Sequence, residues 1–67
     1  MKKVMKEQDY GRRLYIKRKE MGFTQENMAK LLGISRSYYA SIESGQSIPG
    51  GSLIFKINKI IPIFFLR

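Results

Sequence analysis

Apolar residues recur at helical spacing along this chain, and small polar residues and glycines mark where each helix begins and ends. The clearest stretch is residues 23–45. Within it, Thr24 and Ser35 are predicted N-caps, and Gly33 interrupts the apolar pattern between the two helices that they begin. The core stripe of the first of these helices is Met28, Ala29 and Leu32. The pattern therefore predicts two short capped helices joined by a tight turn.

The second helix of this pair, residues 35–44, has an apolar side and a polar side. At about 100° per residue, Tyr39 and Ile42 fall on the side that would join the core. The residues on the other side are Arg36, Ser37, Ala40, Ser41 and Ser44. This surface is either simply solvated, or it approaches a nucleic-acid groove and supplies donors to base edges or phosphates.

A first helix is expected from about Asp9, as its N-cap, to Met21, and Gly22 would supply a left-handed cap. The residues on its expected inward face are Tyr10, Leu14, Lys17, Arg18 and Met21. Since Lys17 is charged, its alkyl stem would have to cover the core while its ammonium reaches water.

A fourth helix is expected over residues 52–61, and Pro62 would stop it. Its inward stripe is Ile54, Ile57 and Ile61. The tail, residues 62–67, is too apolar to be left in water, but the apolar run is too short for a membrane span of about 20 residues. We expect the tail to pack on its own domain and on a two-fold partner. The alternative is a monomer with a wholly self-packed tail.

The segment TQENMAKLLGISRSYYASIESG resembles the helix-turn-helix family of the phage repressor and Cro type. The landmarks of this resemblance are Thr24, Gln25, Ala29, Gly33, Ile42, Glu43 and Gly45. Further correspondences extend it to about residues 8–61. The resemblance implies an all-α, lambda-repressor-like bundle of four to five short helices, with the helix-turn-helix at about 24–45. It also implies that a recognition helix, residues 35–44, enters the major groove of DNA.

The predicted DNA-binding residues lie on this pair of helices and on the loop after them. They are Gln25, Ser35, Arg36, Ser37, Tyr38, Ser41, Gln46 and Ser47. The resemblance places Arg36, Ser37 and Ser41 at groove-facing positions, and Arg36 would either read guanine or clamp a phosphate. The loop residues Gln46 and Ser47, with their backbone amides, would either hold the DNA backbone or be plain loop polarity.

Two structural roles also follow from the resemblance. Gln25 would contact the DNA backbone and brace a side chain of the recognition helix. Arg18 would form a bidentate ion pair with Glu43 and so lock the first helix to the third. The alternative is that Arg18 and Glu43 are ordinary surface charges worth under about 1 kcal/mol.

Composition limits the classes of function. With 67 residues the chain is expected to form one domain, residues 9–67, after a basic arm, residues 1–8, that is too polar for a signal peptide. It contains no Cys and no His, so we expect no enzymatic activity, no cofactor and no metal. The lack of Cys fits a reducing cytoplasm, and we expect a cytoplasmic, nucleoid-associated protein encoded by a bacterium or phage.

The charge of the chain is strongly positive and unevenly distributed. Thirteen Lys and Arg against five Asp and Glu give a net charge of +8, and ten of the thirteen lie at or before Arg36. This asymmetry favours a polyanionic partner. The lysines of the arm, Lys2, Lys3 and Lys6, either reach phosphate or belong to a solvated terminus.

The sequence therefore predicts a sequence-specific, double-stranded DNA-binding regulator of transcription, a repressor of the phage or mobile-element type. We expect a homodimer formed through the fourth helix and the C-terminal tail, and no membrane partner. One alternative is a protein-interaction module, such as an antitoxin that holds its partner with the helix-turn-helix frame and the apolar tail. Another is a basic amphipathic binder of membranes or RNA, which would leave the caps and the turn unexplained.

Overall fold

The computed structural model describes residues 7–62, with side chains from Tyr10 onward. These residues form the four helices α1 (Glu7–Glu20), α2 (Gln25–Leu32), α3 (Arg36–Ser44) and α4 (Gly51–Ile60). Residues 7–62 contain no strand, and the predicted all-α class is confirmed. The predictions for the lysines of the arm and for tail residues 63–67 fall outside the described residues.

The two predicted N-caps are confirmed. The Thr24 hydroxyl accepts a hydrogen bond from the Asn27 amide at 3.0 Å, and the Asn27 side chain accepts one from the Thr24 amide at 3.1 Å. The Ser35 hydroxyl accepts from the Tyr38 amide at 3.0 Å. Between the two helices, Gly33 adopts a left-handed conformation with φ +75°, which glycine tolerates without steric cost. These local contacts fix the angle between α2 and α3.

The start of α1 differs from the prediction. The helix begins at Glu7, so Asp9 lies inside its first turn and the prediction that Asp9 is the N-cap was wrong. Glu and Gln are good helix formers, and an acid in the first turn is favoured by the helix dipole, so the helix extends past Asp9. At the other end, Gly22 has the predicted left-handed conformation, with φ +81°.

The core contains side chains from all four helices and from the residue after α4. Its buried apolar residues are Tyr10, Leu14, Met28, Ala29, Leu32, Tyr39, Ile42, Ile57 and Ile61. The stripes predicted for α2 and for α3 are therefore confirmed. Phe23 and Ile34, which precede the two N-caps, are half-buried and pack against this core.

The predictions for the inward faces of α1 and α4 were partly wrong. Lys17 and Met21 are exposed, because the buried row of α1 follows four-residue steps through Tyr10, Leu14 and Arg18 and does not widen towards them. On α4, Ile54 is only half-buried. The residues that pack against the core besides Ile57 and Ile61 are Leu53 and Ile60. The same four-residue step, taken back from Ile61 through Ile57, leads to Leu53.

The backbones of α1 and the end of α3 approach each other closely at Gly11. A Cβ atom on Gly11 would lie 2.4 Å from the Ile42 carbonyl oxygen and 2.5 Å from the Glu43 carbonyl oxygen. Only glycine leaves room for this contact between backbones. Gly11 therefore allows α1 to support α3 from behind.

Candidate nucleic-acid interface

The helix α3 has one side in the core and one side open. Tyr39 and Ile42 are 0% and 1% exposed, whereas Arg36 and Ser37 on the opposite side are exposed. Tyr38 lies between the two sides and is 36% exposed. The molecule therefore holds this helix from behind and leaves its polar side accessible.

A buried ionic network fixes the orientation of α3. The Arg18 guanidinium donates from Nε to Glu43 Oε2 at 2.6 Å and from a terminal nitrogen to Glu43 Oε1 at 3.2 Å. Its other terminal nitrogen donates to the Phe23 carbonyl at 2.7 Å. The two charged side chains are only 7% and 5% exposed. Arg18 thus connects α1, the turn before α2, and the last turn of α3.

Burial and the contacts with Glu43 shift the pKa values of the residues in and around this network. The hydrogen bond to Glu43 raises the pKa of Arg18, although burial acts in the opposite direction. Burial raises the pKa of the Tyr39 phenol well above its ordinary value, and the neighbouring Glu43 carboxylate adds to this effect. Burial also raises the pKa of Tyr10 to about 12. At neutral pH the Arg18 guanidinium is therefore charged, and the phenols of Tyr39 and Tyr10 are neutral.

Gln25 belongs to the same network. Its side-chain nitrogen donates to Glu43 Oε1 at 3.1 Å, and the residue is half-buried. The structure therefore brings Gln25 together with a side chain of α3, which is the bracing contact that the resemblance implies. Through Glu43, the start of α2 and the last turn of α3 are held at a fixed separation.

An open cleft lies in front of this network, between the end of α1 and the start of α2. The charged residues Lys19, Glu26 and Arg36 line it, together with Thr24 and Gln25. The Lys19 ammonium lies 5.9 Å from the centre of the Tyr15 ring, so its position is partly fixed by a cation–π contact. Sequence reasoning did not single out Lys19. The four-residue spacing of Tyr15 and Lys19 on one helix face was the signal that could have found it.

The loop residues after α3 make hydrogen bonds within the protein that were not predicted. The backbone amides of Gln46 and Ser47 both donate to the Ser41 carbonyl oxygen, at 2.9 and 3.1 Å. These amide hydrogens already close the C-terminus of α3, so the assignment of Gln46 and Ser47 to the DNA backbone stays a prediction about their side chains. The side chain of Gln46 is exposed, and those of Ser41 and Ser47 contact each other, with their Oγ atoms 2.7 Å apart.

The described residues do not support two other kinds of site. No helix among residues 7–62 is long and apolar enough to cross a membrane. In the same range, no three acidic residues lie close enough together to hold a metal ion.

Comparison with known proteins is consistent with this geometry. A family model described as helix-turn-helix matches residues 14–63. The chain is 44% identical over 50 residues to YazB of Bacillus subtilis (strain 168), an uncharacterized HTH-type transcriptional regulator; the match spans 75% of this chain and 72% of YazB. It is 42% identical over 45 residues to the ImmF control region 10 kDa protein of Bacillus phage phi105, spanning 67% of this chain and 50% of that protein. The chain therefore belongs to the helix-turn-helix family, whose members are DNA-binding proteins rather than enzymes.

Proposed function

We propose that this protein is a sequence-specific regulator of transcription, a repressor of the phage or mobile-element type, that inserts α3 into the major groove of duplex DNA. The observation that carries the proposal is the division of α3 into a locked side and an open side. Tyr39 and Ile42 hold it in the core, Glu43 is fixed by Arg18, and the side with Arg36 and Ser37 is exposed. A recognition helix needs this rigid, outward presentation.

The charge around α3 supports a DNA partner. Arg36 begins the helix, and Lys19 lines the same cleft, so two exposed cations and one acid, Glu26, lie around the start of α2. Phosphate contacts of this kind set the register of a protein on the duplex and supply much of its affinity. We assign Arg36 and Ser37 to the groove, and Gln25 and Lys19 to the phosphates beside it.

The other predicted DNA contacts flank this surface. The Ser35 hydroxyl accepts from the Tyr38 amide, which leaves its own proton available to a phosphate oxygen. The Tyr38 ring is exposed at the edge of α3, where it can lie against a sugar. Gln46 is exposed in the loop after α3 and can reach the neighbouring backbone.

The proposal includes a homodimer, in which a second copy of the chain binds beside α4. Ile48 and Phe55, before and within α4, are each 63% exposed, the highest values among the large apolar side chains of the described residues. An interface there would cover them and would place two copies of α3 on successive half-sites of DNA. The names of the two relatives, a transcriptional regulator and a phage control-region protein, support a regulatory role.

The test compares two exposed cations, Arg36 on α3 and Lys56 on α4. We expect Arg36→Ala to weaken binding to the preferred duplex by about 1 to 3 kcal/mol, and Lys56→Ala to change it little. The readout is a binding titration at several salt concentrations, with a palindromic duplex so that two protein chains per duplex are also measured. If Arg36 grips a phosphate, Arg36→Ala should lower the log–log salt slope by about 0.9 and weaken binding to all sequences evenly.

Circular dichroism provides the control for folding in each variant. The groove assignment would be wrong if Arg36→Ala and Gln25→Ala both kept the helical spectrum and the DNA affinity of the unaltered chain. A complex containing one chain per palindromic duplex would contradict the proposed dimer.

A further inference from the structure

The hydroxyl groups of Ser41 and Ser47 form a short hydrogen-bonded chain at the edge of the open side of α3. The Ser41 Oγ atom lies 2.6 Å from the Tyr38 carbonyl oxygen and 2.7 Å from the Ser47 Oγ atom. Both serines are half-buried, so each still reaches the surface. The recognition surface therefore includes two adjacent hydroxyl oxygens, one from the helix and one from the loop.

The chemistry of these three atoms fixes where both protons lie. A carbonyl oxygen only accepts, so a separation of 2.6 Å requires Ser41 to donate its single proton to Tyr38. The two hydroxyl oxygens, 2.7 Å apart, also need a proton between them, and Ser41 has no second one. Ser47 therefore donates to Ser41, and Ser41 donates to the Tyr38 carbonyl.

This arrangement makes the pair an acceptor. Each serine hydroxyl has one proton and two lone pairs, and both protons of the pair are used within the protein. Among the described residues, the contacts to Tyr38 and between the two serines are the hydrogen bonds made by these hydroxyls. The acceptor capacity that remains is one lone pair on Ser41 and two on Ser47.

The loop after α3 keeps the pair in place. Gly45 turns the chain with φ +88°, and the Gln46 and Ser47 amides both donate to the Ser41 carbonyl. The Ser44 hydroxyl donates to the same carbonyl at 3.1 Å. Ser47 is therefore held against Ser41 through its own backbone, independently of the contact between their side chains.

We propose that the Ser41–Ser47 hydroxyl pair determines base specificity by accepting a hydrogen bond from an exocyclic amino group, N6 of adenine or N4 of cytosine. This inference rests on the proposed function, with α3 in the major groove. There, guanine presents N7 and O6 and thymine presents O4, all of them acceptors, as phosphate oxygens are. An acceptor pair faces repulsion from those groups, so the nearest base on the contacted strand is adenine or cytosine.

The first experiment selects preferred duplexes from a random pool with the full chain and four variants. We expect the unaltered chain to select adenine or cytosine at one position of each half-site. Ser41→Ala frees the Ser47 proton to donate, so guanine or thymine should gain on the order of tenfold at that position alone. Ser41→Thr keeps the hydroxyl, and Ser47→Ala keeps the Ser41 acceptor, so both should retain the preference. Ser52→Ala, exposed on α4, is the matched control and should change nothing.

The second experiment changes the DNA and leaves the protein intact, so it does not depend on the folding of a variant. The selected adenine or cytosine is replaced by an analogue that lacks only the amino group. We expect this replacement to weaken binding of the unaltered chain roughly tenfold, and to have little further effect in Ser41→Ala.

Three results would overturn the proposal. An even loss of affinity across all sequences in Ser41→Ala would make the pair a brace for the loop. An analogue that binds as tightly as the natural base would show that no amino group is read. A selected guanine or thymine at the position sensitive to Ser41→Ala would show that the pair donates. If the unaltered chain selected no sequence at all, the proposed function itself would fail.

Discussion

Arg18, which contacts α3 from α1, and Arg36, the first residue of α3, have opposite roles because their surroundings differ. Arg18 is 5% exposed and donates to both Glu43 carboxylate oxygens and to the Phe23 carbonyl. Arg36 is exposed, and within residues 10–62 no carboxylate pairs with it. A buried guanidinium that donates three hydrogen bonds within the protein serves to hold the structure together. One whose donors face solvent is available to a phosphate or to a guanine.

Because Arg18 is buried in the structure and Arg36 is exposed, protein stability and DNA binding should respond to different substitutions. Substitutions around Arg18 should act on the free energy of unfolding, and substitutions at Arg36 should act on affinity. Three substitutions at buried residues test the predicted effects on stability.

Removing the carboxylate of Glu43 should have the largest effect. Glu43→Ala leaves the buried Arg18 charge without its partner, and we expect a loss of about 3 to 5 kcal/mol in the free energy of unfolding. Glu43→Gln keeps an acceptor of the same shape and should lose less. Urea unfolding followed by circular dichroism gives both values. Equal stability of Glu43→Ala and the unaltered chain would show that the pair does not anchor α3.

A side chain at Gly11 should move α1 away from α3. Gly11→Ala places its Cβ 2.4 Å from the Ile42 carbonyl oxygen, and we expect a cost of about 1 to 3 kcal/mol from overpacking. Gly22→Ala is the matched control, since its Cβ would meet nothing within 4 Å and only its φ of +81° is unfavourable. Thermal unfolding should rank Gly11→Ala below Gly22→Ala. The reverse order would mean that the contact between the helices relaxes easily.

The smallest expected effect is a dependence of stability on alkaline pH. Burial raises the pKa of Tyr10 to about 12 from its ordinary value of 10.0, so the folded chain retains a proton that the unfolded chain loses. The unfolded state therefore binds fewer protons between about pH 10 and 12, and stability should fall as pH rises through that range. Tyr10→Phe removes this contribution, so unfolding curves measured at successive pH values should decline less steeply for the variant. Parallel declines would place the effect on other groups.

The parts of the fold that could be predicted from sequence are those fixed by neighbours along the chain. The caps at Thr24 and Ser35 and the left-handed glycines depend on residues within a few positions, so their sequence signals were sufficient. The start of α1 was predicted incorrectly because helix-forming residues precede Asp9 and extend the helix. The rotation of α4 was predicted incorrectly because it depends on how helices pack on one another, which the spacing of apolar residues leaves open by about one position.

The candidate site shows the same division. The exposure of Arg36 and Ser37 follows from the periodicity of α3, and the pairing of Arg18 with Glu43 was implied by the resemblance. The contact between Ser41 and Ser47 depends on the return of the loop after Gly45, and the cleft beside Lys19 depends on the angle between α1 and α2. Residues adjacent in sequence determine neither the angle between α1 and α2 nor the course of the loop after Gly45. These contacts are therefore seen only in the folded structure.

The most direct test of α3 as the recognition helix is a titration of the isotope-labelled protein with its preferred duplex, followed by amide NMR signals at fixed salt. We predict the largest shifts at Arg36 and Ser37, with smaller ones at Lys19 and Gln25. Shifts confined to α4, with the signals of Arg36 and Ser37 unmoved at saturation, would contradict this assignment.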